Sequence, residues 1–493
     1  MKTFLWSVPS AIILVELLAI SFRLNFWRWR ADAVEIAALT FAETQDERAK
    51  EKLIVSAALN LLGLIFYIWT ILAFFFLVLS VLPDEAELRE NLFFWTTSVT
   101  FISYSWLRVS WLERQAKASQ QHDEADLSSF KAPYNRISRW LHWLSLELGT
   151  VRKASLELEK ALFLNKADRD PRIVDQPVYV MGLARSGTTV VLKILEKTGA
   201  FNSPTYRDMP FVLSPNIWKG LTKHSRLKAR NTSRAHNDGI MVGFDSPESF
   251  EEVFWRTACD VKPGQTLAYT PVSDEILNDF AAYRKLSTLS ALPRISSSNQ
   301  AHQHLRYLSK NNNNVMRINE LCAQPSSHLV LIIRDPLATA WSLYRQHLRF
   351  TQLQTEDPFV SAYMRWLGHH EFGLIHKPLV AGSKHLEGHN TMQPDYWLAY
   401  WLLAYQNIWQ TYNNLTHEQR ARIIFVCHDR MCAEPAQELL KLFRFANIVQ
   451  RVDSYINMLR PVVEVDLKNY FDMNLSERAY SLHNEILKLF THE

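Results

Sequence analysis

Cysteine is scarce in this sequence, and the few cysteines that occur are not arranged in pairs. Four stand among 493 residues, and no two of them form a Cys-x-x-Cys pattern. Zinc sites and disulfide frameworks need several closely spaced cysteines, so the sequence indicates neither. We therefore expect free thiols and a reducing compartment.

A strong charge of one sign is lacking as well. The 54 lysines and arginines nearly balance the 50 aspartates and glutamates, and the basic residues form no long block. Nucleic-acid binding usually requires basic residues concentrated on one face, so we expect no nucleic-acid partner. Apolar residues, in contrast, make up 48% of the chain, enough for a sizeable core in two or three domains.

Long apolar runs are concentrated near the start of the chain. Residues 53–82 are thirty consecutive residues without a charge, whereas a membrane span needs about 20 apolar residues. Residues 91–112 begin with 17 uncharged residues, and residues 4–22, interrupted by Glu16, fit a span, a signal anchor or an interfacial helix. The sequence thus predicts an N-terminal transmembrane helical region, with the lipid bilayer as a partner.

The charges that flank these runs predict an orientation. Basic residues at positions 48, 50 and 52 precede the thirty-residue run, whereas the loop at 83–90 holds four acids and one arginine. Because basic residues favour the cytoplasmic side, the loop should face outward and the following chain the cytoplasm. We expect a multi-pass protein in a membrane of the bacterial inner type, with a soluble domain that faces the Golgi lumen as the alternative.

After the membrane region the pattern changes twice. Residues 117–130 are polar and indicate a linker, and residues 134–166 repeat apolar side chains at helical spacing with a possible break at Gly149. The chain is therefore divided into a membrane-anchor region, a linker with an amphipathic helix, and a soluble domain, at residues 1–116, 117–170 and 171–493.

Three short runs in the soluble domain indicate a parallel sheet. Residues 177–183, 328–334 and 422–427 are almost continuously apolar, which suits strands buried on both faces. Helical segments separate them, so the predicted fold class is α/β: a three-layer, P-loop-like domain with a central parallel sheet. In such folds a nucleotide binds at the carboxyl ends of the strands.

The loop after the first predicted strand lacks the lysine that ATP-binding phosphate loops have. In GLARSGTT, Gly182 and Gly187 have the spacing of an ATP-binding phosphate loop, but Thr188 stands where that loop has its lysine. Backbone N–H groups of such a turn bind an anion without the lysine. The loop adds one cation and three hydroxyls, on Arg185, Ser186, Thr188 and Thr189. The alternative is a glycine turn that only joins strand to helix.

A second cationic corner follows the second strand. In RDPLATAWS, Asp335 and Pro336 have the pattern of a helix N-cap and first helical residue, which leaves Arg334 at the end of the strand. Ser342 lies two turns into that helix, so a guanidinium and a hydroxyl can hold one phosphate between them. The alternative is a surface arginine beside a helix start.

Together these stretches resemble the sulfotransferases that use 3′-phosphoadenosine 5′-phosphosulfate (PAPS). GLARSGTT and RDPLATAWS are similar to the two nucleotide-binding segments of that family, HDRMCAEPAQELLKLFRF resembles a later segment, and the resemblance covers about residues 176–450. It implies transfer of a sulfuryl group from PAPS to a hydroxyl or amine of a glycan, lipid or other membrane-associated acceptor, without a metal ion. Soluble members carry lysine near the Arg185 position, so the chain resembles a divergent, membrane-anchored branch.

The resemblance also implies roles for single residues. The 5′-phosphosulfate would be held by Arg185, Ser186, Gly187, Thr188 and Thr189, and the 3′-phosphate by Arg334 and Ser342. Arg185 and Lys310 would neutralise the leaving bisphosphate, because relatives carry a lysine shortly before the strand that leads to the 3′-phosphate arginine. An ordinary solvated lysine is the alternative for Lys310.

The general base is predicted from the same resemblance. Family members place a Glu or His beyond the first helix, and Asp208 is the only acid of NSPTYRDMPF at that place, although an ion pair with Arg207 is the alternative. Rivals are His236 and three acids of GFDSPESFEEVFW, where a helix starting at Ser246 would carry its glutamates on a solvated face: Glu248, Glu251 and Glu252.

Two other classes of protein stay open at this point. A phosphate-loop kinase or NTPase would hold Mg²⁺ with an acid at the end of another strand, where Asp335 and Asp429 stand, although a helix N-cap explains Asp335 better. A non-catalytic membrane scaffold that retains the fold is the third class.

Overall fold

The structure is a computed structural model of the chain. It describes residues 139, 141–222, 232–233, 241–242, 250–261, 272–295, 304–379, 386, 390–461 and 466–491. The predicted membrane segments at 4–22, 53–82 and 91–112 and the linker at 117–130 lie outside these residues. Among the helices of the described part, none combines the length and apolarity that a membrane span requires.

A five-stranded parallel sheet lies at the centre of the described residues. Its strands, with a separate antiparallel pair formed by β3 and β4, are β1 Ile173–Met181, β2 Phe201–Asn202, β3 Thr232–Ser233, β4 Met241–Val242, β5 Leu305–Lys310, β6 His328–Ile333 and β7 Ile423–Cys427. The order in the sheet is β2-β5-β1-β6-β7, and all neighbouring pairs are parallel. The predicted central parallel sheet is confirmed.

Helices connect the strands and continue to the end of the described part. They are α1 Gly149–Arg169, α2 Thr188–Lys197, α3 Pro215–Thr222, α4 Glu252–Ala258, α5 Asp274–Ile295, α6 Ile318–Ala323, α7 Pro336–Glu356, α8 Pro358–Trp366, α9 Pro394–Asn414, α10 His417–Arg420, α11 His428–Ala433, α12 Pro435–Phe445, α13 Asp453–Ile456 and α14 Met473–Leu487. The described residues up to 219 and from 232 onward form one compact unit.

The central strands are apolar on both faces because helices pack on both. In β1, alternate residues point to opposite faces. Val178 and Val180 join a core that includes side chains of α2 and α12. On the other face Tyr179 stacks on Phe280 of α5, with 6.1 Å between the ring centroids. The flanking helices therefore agree with the predicted layering.

The strand order places a crevice at the carboxyl ends of β1 and β6. From β1 the chain first goes to β2 and β5 on one side, and later to β6 and β7 on the other. Such a reversal is where open α/β sheets bind ligands. Met181 is paired with Leu331, so the loops that follow the two strands start side by side.

One helix boundary agrees with the sequence expectation and another differs from it. The predicted helix at 134–166 is interrupted at Leu148, whose ψ of 106° is extended, between a π-helical turn at Trp143–Glu147 and α1. The predicted break near Gly149 is thus confirmed. The helix expected from Ser246 begins instead at Glu252, since residues 250 and 251 are not helical.

Candidate functional site

The loop after β1 has the backbone of an anion-binding turn. Gly182, Arg185 and Gly187 all have positive φ, of 151°, 70° and 100°. At Gly182 an added Cβ would lie 2.6 Å from the backbone oxygen of Ile332, and at Gly187 it would collide with the ring of His428. Both glycines are therefore required, the first by its neighbour strand and the second by the histidine.

The structure brings the two predicted phosphate sites into direct contact. Nε of Arg185 donates to Oγ of Ser342 at 3.0 Å, and a terminal nitrogen of Arg334 donates to the backbone oxygen of Arg185 at 3.1 Å. We call these three residues the arginine corner. In the part of the chain that is described, Nε of Arg334 is buried without a hydrogen bond and lies 3.8 Å from Oδ1 of Asp429.

The two acids that a magnesium site would need have other partners. Oδ1 of Asp335 accepts from the backbone N–H of Ala338 at 2.8 Å, and Oδ2 accepts from the hydroxyl of Tyr480 at 3.0 Å. The predicted N-cap role of Asp335 is confirmed. Asp429 accepts from the backbone N–H of Asp335 at 2.7 Å and lies 3.8 Å from Nε of Arg334.

The hydroxyls of the anion loop are ordered by the protein itself. Ser186 is buried and donates to the backbone oxygen of Leu183 at 2.7 Å. Thr188 is the first residue of α2, and its hydroxyl donates to Oδ1 of Asn312 at 3.4 Å. Thr189 follows in the first turn of α2. All three stay beside the helix N-terminus, where the backbone favours negative charge.

Lys310 lies close to this loop but is not solvated. It is the last residue of β5, is paired with Val180 of β1, and is 6% exposed. An exposed, solvated side chain, the alternative for Lys310, is therefore ruled out.

Lys310 also affects a nearby acid, Glu371. Burial alone would raise the pKa of the Glu371 carboxyl, but attraction from His369 and Lys310 outweighs the effect of burial and lowers that pKa.

Asp208 has a structural role in the turn that carries it. Its Oδ2 accepts from the backbone N–H of Thr205 at 2.7 Å and from the hydroxyl of Thr205 at 3.0 Å. The first of these bonds, together with the bond from the backbone N–H of Asp208 to the Thr205 side chain, forms a capping box around the 3₁₀ turn Tyr206–Asp208. The assignment of Asp208 as the base stays a prediction.

The solvated face expected for the glutamates around the start of α4 is wrong for Glu251 and Glu252. Glu251 and Glu252 are 0% and 2% exposed. Glu252 accepts two hydrogen bonds from Arg317, at 2.7 and 2.9 Å, and Glu251 accepts one from Asn314 at 2.8 Å. They are buried because the turn after β5 supplies these donors. Glu248 and His236 lie outside the described residues.

That turn contains four consecutive asparagines, Asn311–Asn314, all of them buried. Each amide has a specific partner: Asn311 donates to Glu252 at 2.8 Å, Asn312 to Glu371 at 3.2 Å, and Asn313 to the backbone oxygen of Gly368 at 3.1 Å. We call Asn311–Asn314 with Glu251, Glu252 and Arg317 the asparagine network. The feature of the sequence that could have indicated this network is the position of the asparagine run directly after Lys310.

His428 is a second residue that sequence reasoning did not assign to the site. It follows β7, and its ring packs on Gly187. Burial opposes protonation of its imidazole, but Asp429 and Cys432 favour it more strongly, so the pKa of His428 is raised. When it is protonated, this imidazole adds positive charge beside the N-terminus of α2 and favours an anion there.

Comparison with known proteins agrees with this geometry. Residues 177–376 match the model of the sulfotransferase family. The resemblance inferred from the sequence is thereby confirmed, and the segment has the P-loop-like sulfotransferase fold. It contains the anion loop, Lys310, Arg334 and Ser342. A search of curated proteins gives no match.

Crystal structures of sulfotransferases are similar at low identity. One from Mycobacterium avium is 13% identical, covers 72% of this chain and 86% of its own, and has a TM-score of 0.42. A sulfotransferase from Mycobacterium tuberculosis is 13% identical, with a TM-score of 0.37; the alignment covers 68% of this chain and 83% of the M. tuberculosis chain. A sulfotransferase from Alicyclobacillus acidocaldarius is 14% identical, with a TM-score of 0.31; the alignment covers 64% of this chain and 96% of the A. acidocaldarius chain.

Proposed function

We propose that the chain is a sulfotransferase that uses PAPS as its donor and a hydroxyl or amine of a glycan, lipid or other membrane-associated molecule as its acceptor. The family match supports the transferase class. The donor and the kind of acceptor are inferences from the site and from the sequence resemblance.

The contact between Arg185, Arg334 and Ser342 carries the proposal. It gathers two guanidinium groups and a hydroxyl at the carboxyl ends of β1 and β6, beside the N-terminus of α2. A nucleotide with phosphate groups on both ribose ends needs cations at more than one point, and arginine matches phosphate through paired N–H donors.

The residues of the site can stabilise the bisphosphate that leaves during transfer. Negative charge grows on the oxygen between sulfur and the 5′-phosphate as the sulfuryl group departs. Loop N–H groups, Arg185 and Lys310 lie near the end of β1 and would neutralise that charge if the phosphosulfate binds at the anion loop. Fixed donors of this kind lower the barrier because they need no rearrangement during the reaction.

Membrane attachment is part of the proposal and depends on the sequence. The uncharged runs at 53–82 and 91–112 would hold the protein in a bilayer, and the flanking charges would place the soluble domain in the cytoplasm. An acceptor held in or at the same membrane would then be within reach.

Nucleotide binding tests the proposal directly. The intact chain should bind adenosine 3′,5′-bisphosphate in calorimetry without Mg²⁺, and more tightly than it binds ATP with Mg²⁺. Arg334→Ala should weaken binding about 10- to 100-fold, because a hydrogen bond to a charged group contributes roughly 1.5–3 kcal/mol. Arg451→Ala, at an arginine whose side chain is 92% exposed, is the matched control and should bind like the unsubstituted chain.

Two results would contradict the proposal. Equal affinity of the Arg334→Ala variant for the bisphosphate would remove the arginine corner from the donor site. Preference for ATP with Mg²⁺ would instead favour a kinase or NTPase.

A further inference from the structure

Glu371 lies on a loop that the protein holds firmly beside the anion loop. The segment follows α8, and its Gly368 backbone oxygen accepts from Asn313 at 3.1 Å. At the other end the N–H of Leu374 donates to Oε1 of Gln354 at 2.6 Å. Gly368 and Gly373 have φ of 71° and 75°, which allows the chain to turn sharply on both sides of the carboxylate.

Two hydrogen bonds connect the Glu371 carboxylate to the helix that follows the anion loop. Oε1 of Glu371 accepts from the amide of Asn312 at 3.2 Å, and Oδ1 of the same asparagine accepts from the hydroxyl of Thr188 at 3.4 Å. Thr188 begins α2 and is one of the residues proposed to hold the phosphosulfate. The carboxylate therefore lies at the end of the site where the sulfuryl group would be held.

Electrostatics keep this carboxylate ionised. The side chain is only 9% exposed, and burial by itself favours the neutral acid. Attraction from His369 and Lys310 and the bond from Asn312 more than offset burial, so the pKa of Glu371 lies below its usual value. An ionised carboxylate can accept a proton, and the lowered pKa makes Glu371 a weaker base than an unperturbed glutamate.

Other carboxylates near the carboxyl ends of the strands are occupied by structural contacts. Each takes part in at least two polar contacts with backbone or side-chain groups: Asp208, Glu251, Glu252, Asp335 and Asp429. The Glu371 carboxylate accepts hydrogen bonds from the amide of Asn312 and from its own backbone N–H, and Asn312 connects it to Thr188 at the start of α2.

We propose that Glu371, rather than Asp208, is the base that removes the proton of the acceptor. The inference rests on the proposed sulfotransferase function. In the step, the acceptor oxygen or nitrogen forms a bond to sulfur while the bond from sulfur to the bridging oxygen of PAPS breaks. The bisphosphate leaves with that electron pair, and the acceptor proton goes to Glu371. Water in place of the acceptor gives slow hydrolysis of PAPS by the same step.

The test compares two amide substitutions in the intact chain. Glu371→Gln keeps the shape of the side chain but cannot take a proton, and Asp208→Asn does the same at the rival acid. Two rates are measured with sulfur-radiolabelled PAPS: hydrolysis to sulfate, and transfer to a detergent extract of membranes. Adenosine 3′,5′-bisphosphate affinity, measured by calorimetry on each variant, reports the donor site separately.

Glu371→Gln should lower kcat for both reactions by about 100-fold or more, the usual contribution of a general base, and leave bisphosphate affinity within about threefold. The acid limb of the pH–rate profile should disappear in this variant, and Glu371→Asp should restore part of the rate. Asp208→Asn should retain the rate and the acid limb.

Three outcomes would overturn the assignment. One is a Glu371→Gln variant with unchanged kcat, and another is loss of rate and of the acid limb in Asp208→Asn instead. The third is parallel loss of rate and bisphosphate affinity in both Glu371 variants, which would make Glu371 a positioning residue. Failure of the unsubstituted chain to bind the bisphosphate would overturn the proposed function itself, and the assignment with it.

Discussion

Two polar regions at the carboxyl ends of the sheet are built in opposite ways. In the asparagine network, Arg317 is 4% exposed in its side chain and faces Glu252 through two parallel hydrogen bonds. In the arginine corner, the Arg334 side chain is 22% exposed, and its nearest carboxylate is 3.8 Å away.

The difference separates a structural role from a binding role. The charge of Arg317 is matched inside the fold by two hydrogen bonds to one carboxylate, whereas Arg334 donates to a backbone oxygen and lies farther from its carboxylate, so more of its charge is available to a ligand. Both regions lie close to the strand ends, so position alone does not show which one binds a ligand. The hydrogen-bond partners of Arg317 and Arg334 differ, and substitutions can test whether this difference separates a structural region from a binding region.

The largest effect should follow from breaking the asparagine network. Glu252→Ala leaves Arg317 buried without its carboxylate, and removal of one partner of a buried pair costs about 3–5 kcal/mol in the free energy of unfolding. Denaturant titration measures the loss. Arg334→Ala in the arginine corner is the comparison and should cost less than about 1 kcal/mol. Equal losses at both sites would erase the distinction.

A smaller effect should follow from a methyl group in the anion loop. Gly187→Ala forces alanine into a φ of 100° and against the His428 ring, so strain of about 1–3 kcal/mol is expected, together with weaker bisphosphate binding. Gly220→Ala is the matched control, because a Cβ there meets no atom within 4 Å. Unchanged affinity in Gly187→Ala would show that the loop does not need its backbone geometry.

The smallest effect concerns pH. The pKa of His428 is raised above 6.5, so its protonated form stabilises the fold fully below that value, and this contribution is lost as pH rises through the folded-state pKa. Asp429 and Cys432 favour the charged form, and Arg334 opposes it. The stability difference between the unsubstituted chain and His428→Gln should therefore shrink as pH increases above 6.5 in thermal unfolding scans. A difference that stays constant with pH would contradict this role.

The parts of the fold that depend on local sequence could be predicted. The three apolar runs form β1, β6 and β7, and the Asp335–Pro336 pattern caps α7 because cap geometry involves only neighbouring residues. The anion loop was recognisable for the same reason, since the spacing of Gly182 and Gly187 after an apolar run is visible within one short stretch of sequence.

The parts that depend on distant partners could not be predicted. From the sequence, Glu251 and Glu252 were expected to be solvated. Their hydrogen-bond donors, Arg317 and the asparagines, lie about sixty positions further along the chain and could not be recognised from the local pattern. His428 was overlooked since its contact with Gly187 exists only when β7 and the anion loop meet. Asp208 matched the expected place of a base, but its bonds to Thr205 give it a capping role that the pattern did not reveal.

The bond between Arg185 and Ser342 has a consequence for how a donor enters. The residue expected to grip the sulfated end is already attached to the one expected to grip the ribose phosphate. We expect an arriving nucleotide to replace this bond with contacts from its own phosphate groups to each side chain. The internal bond then orders both side chains before the donor binds, which lowers the conformational entropy that binding would otherwise cost.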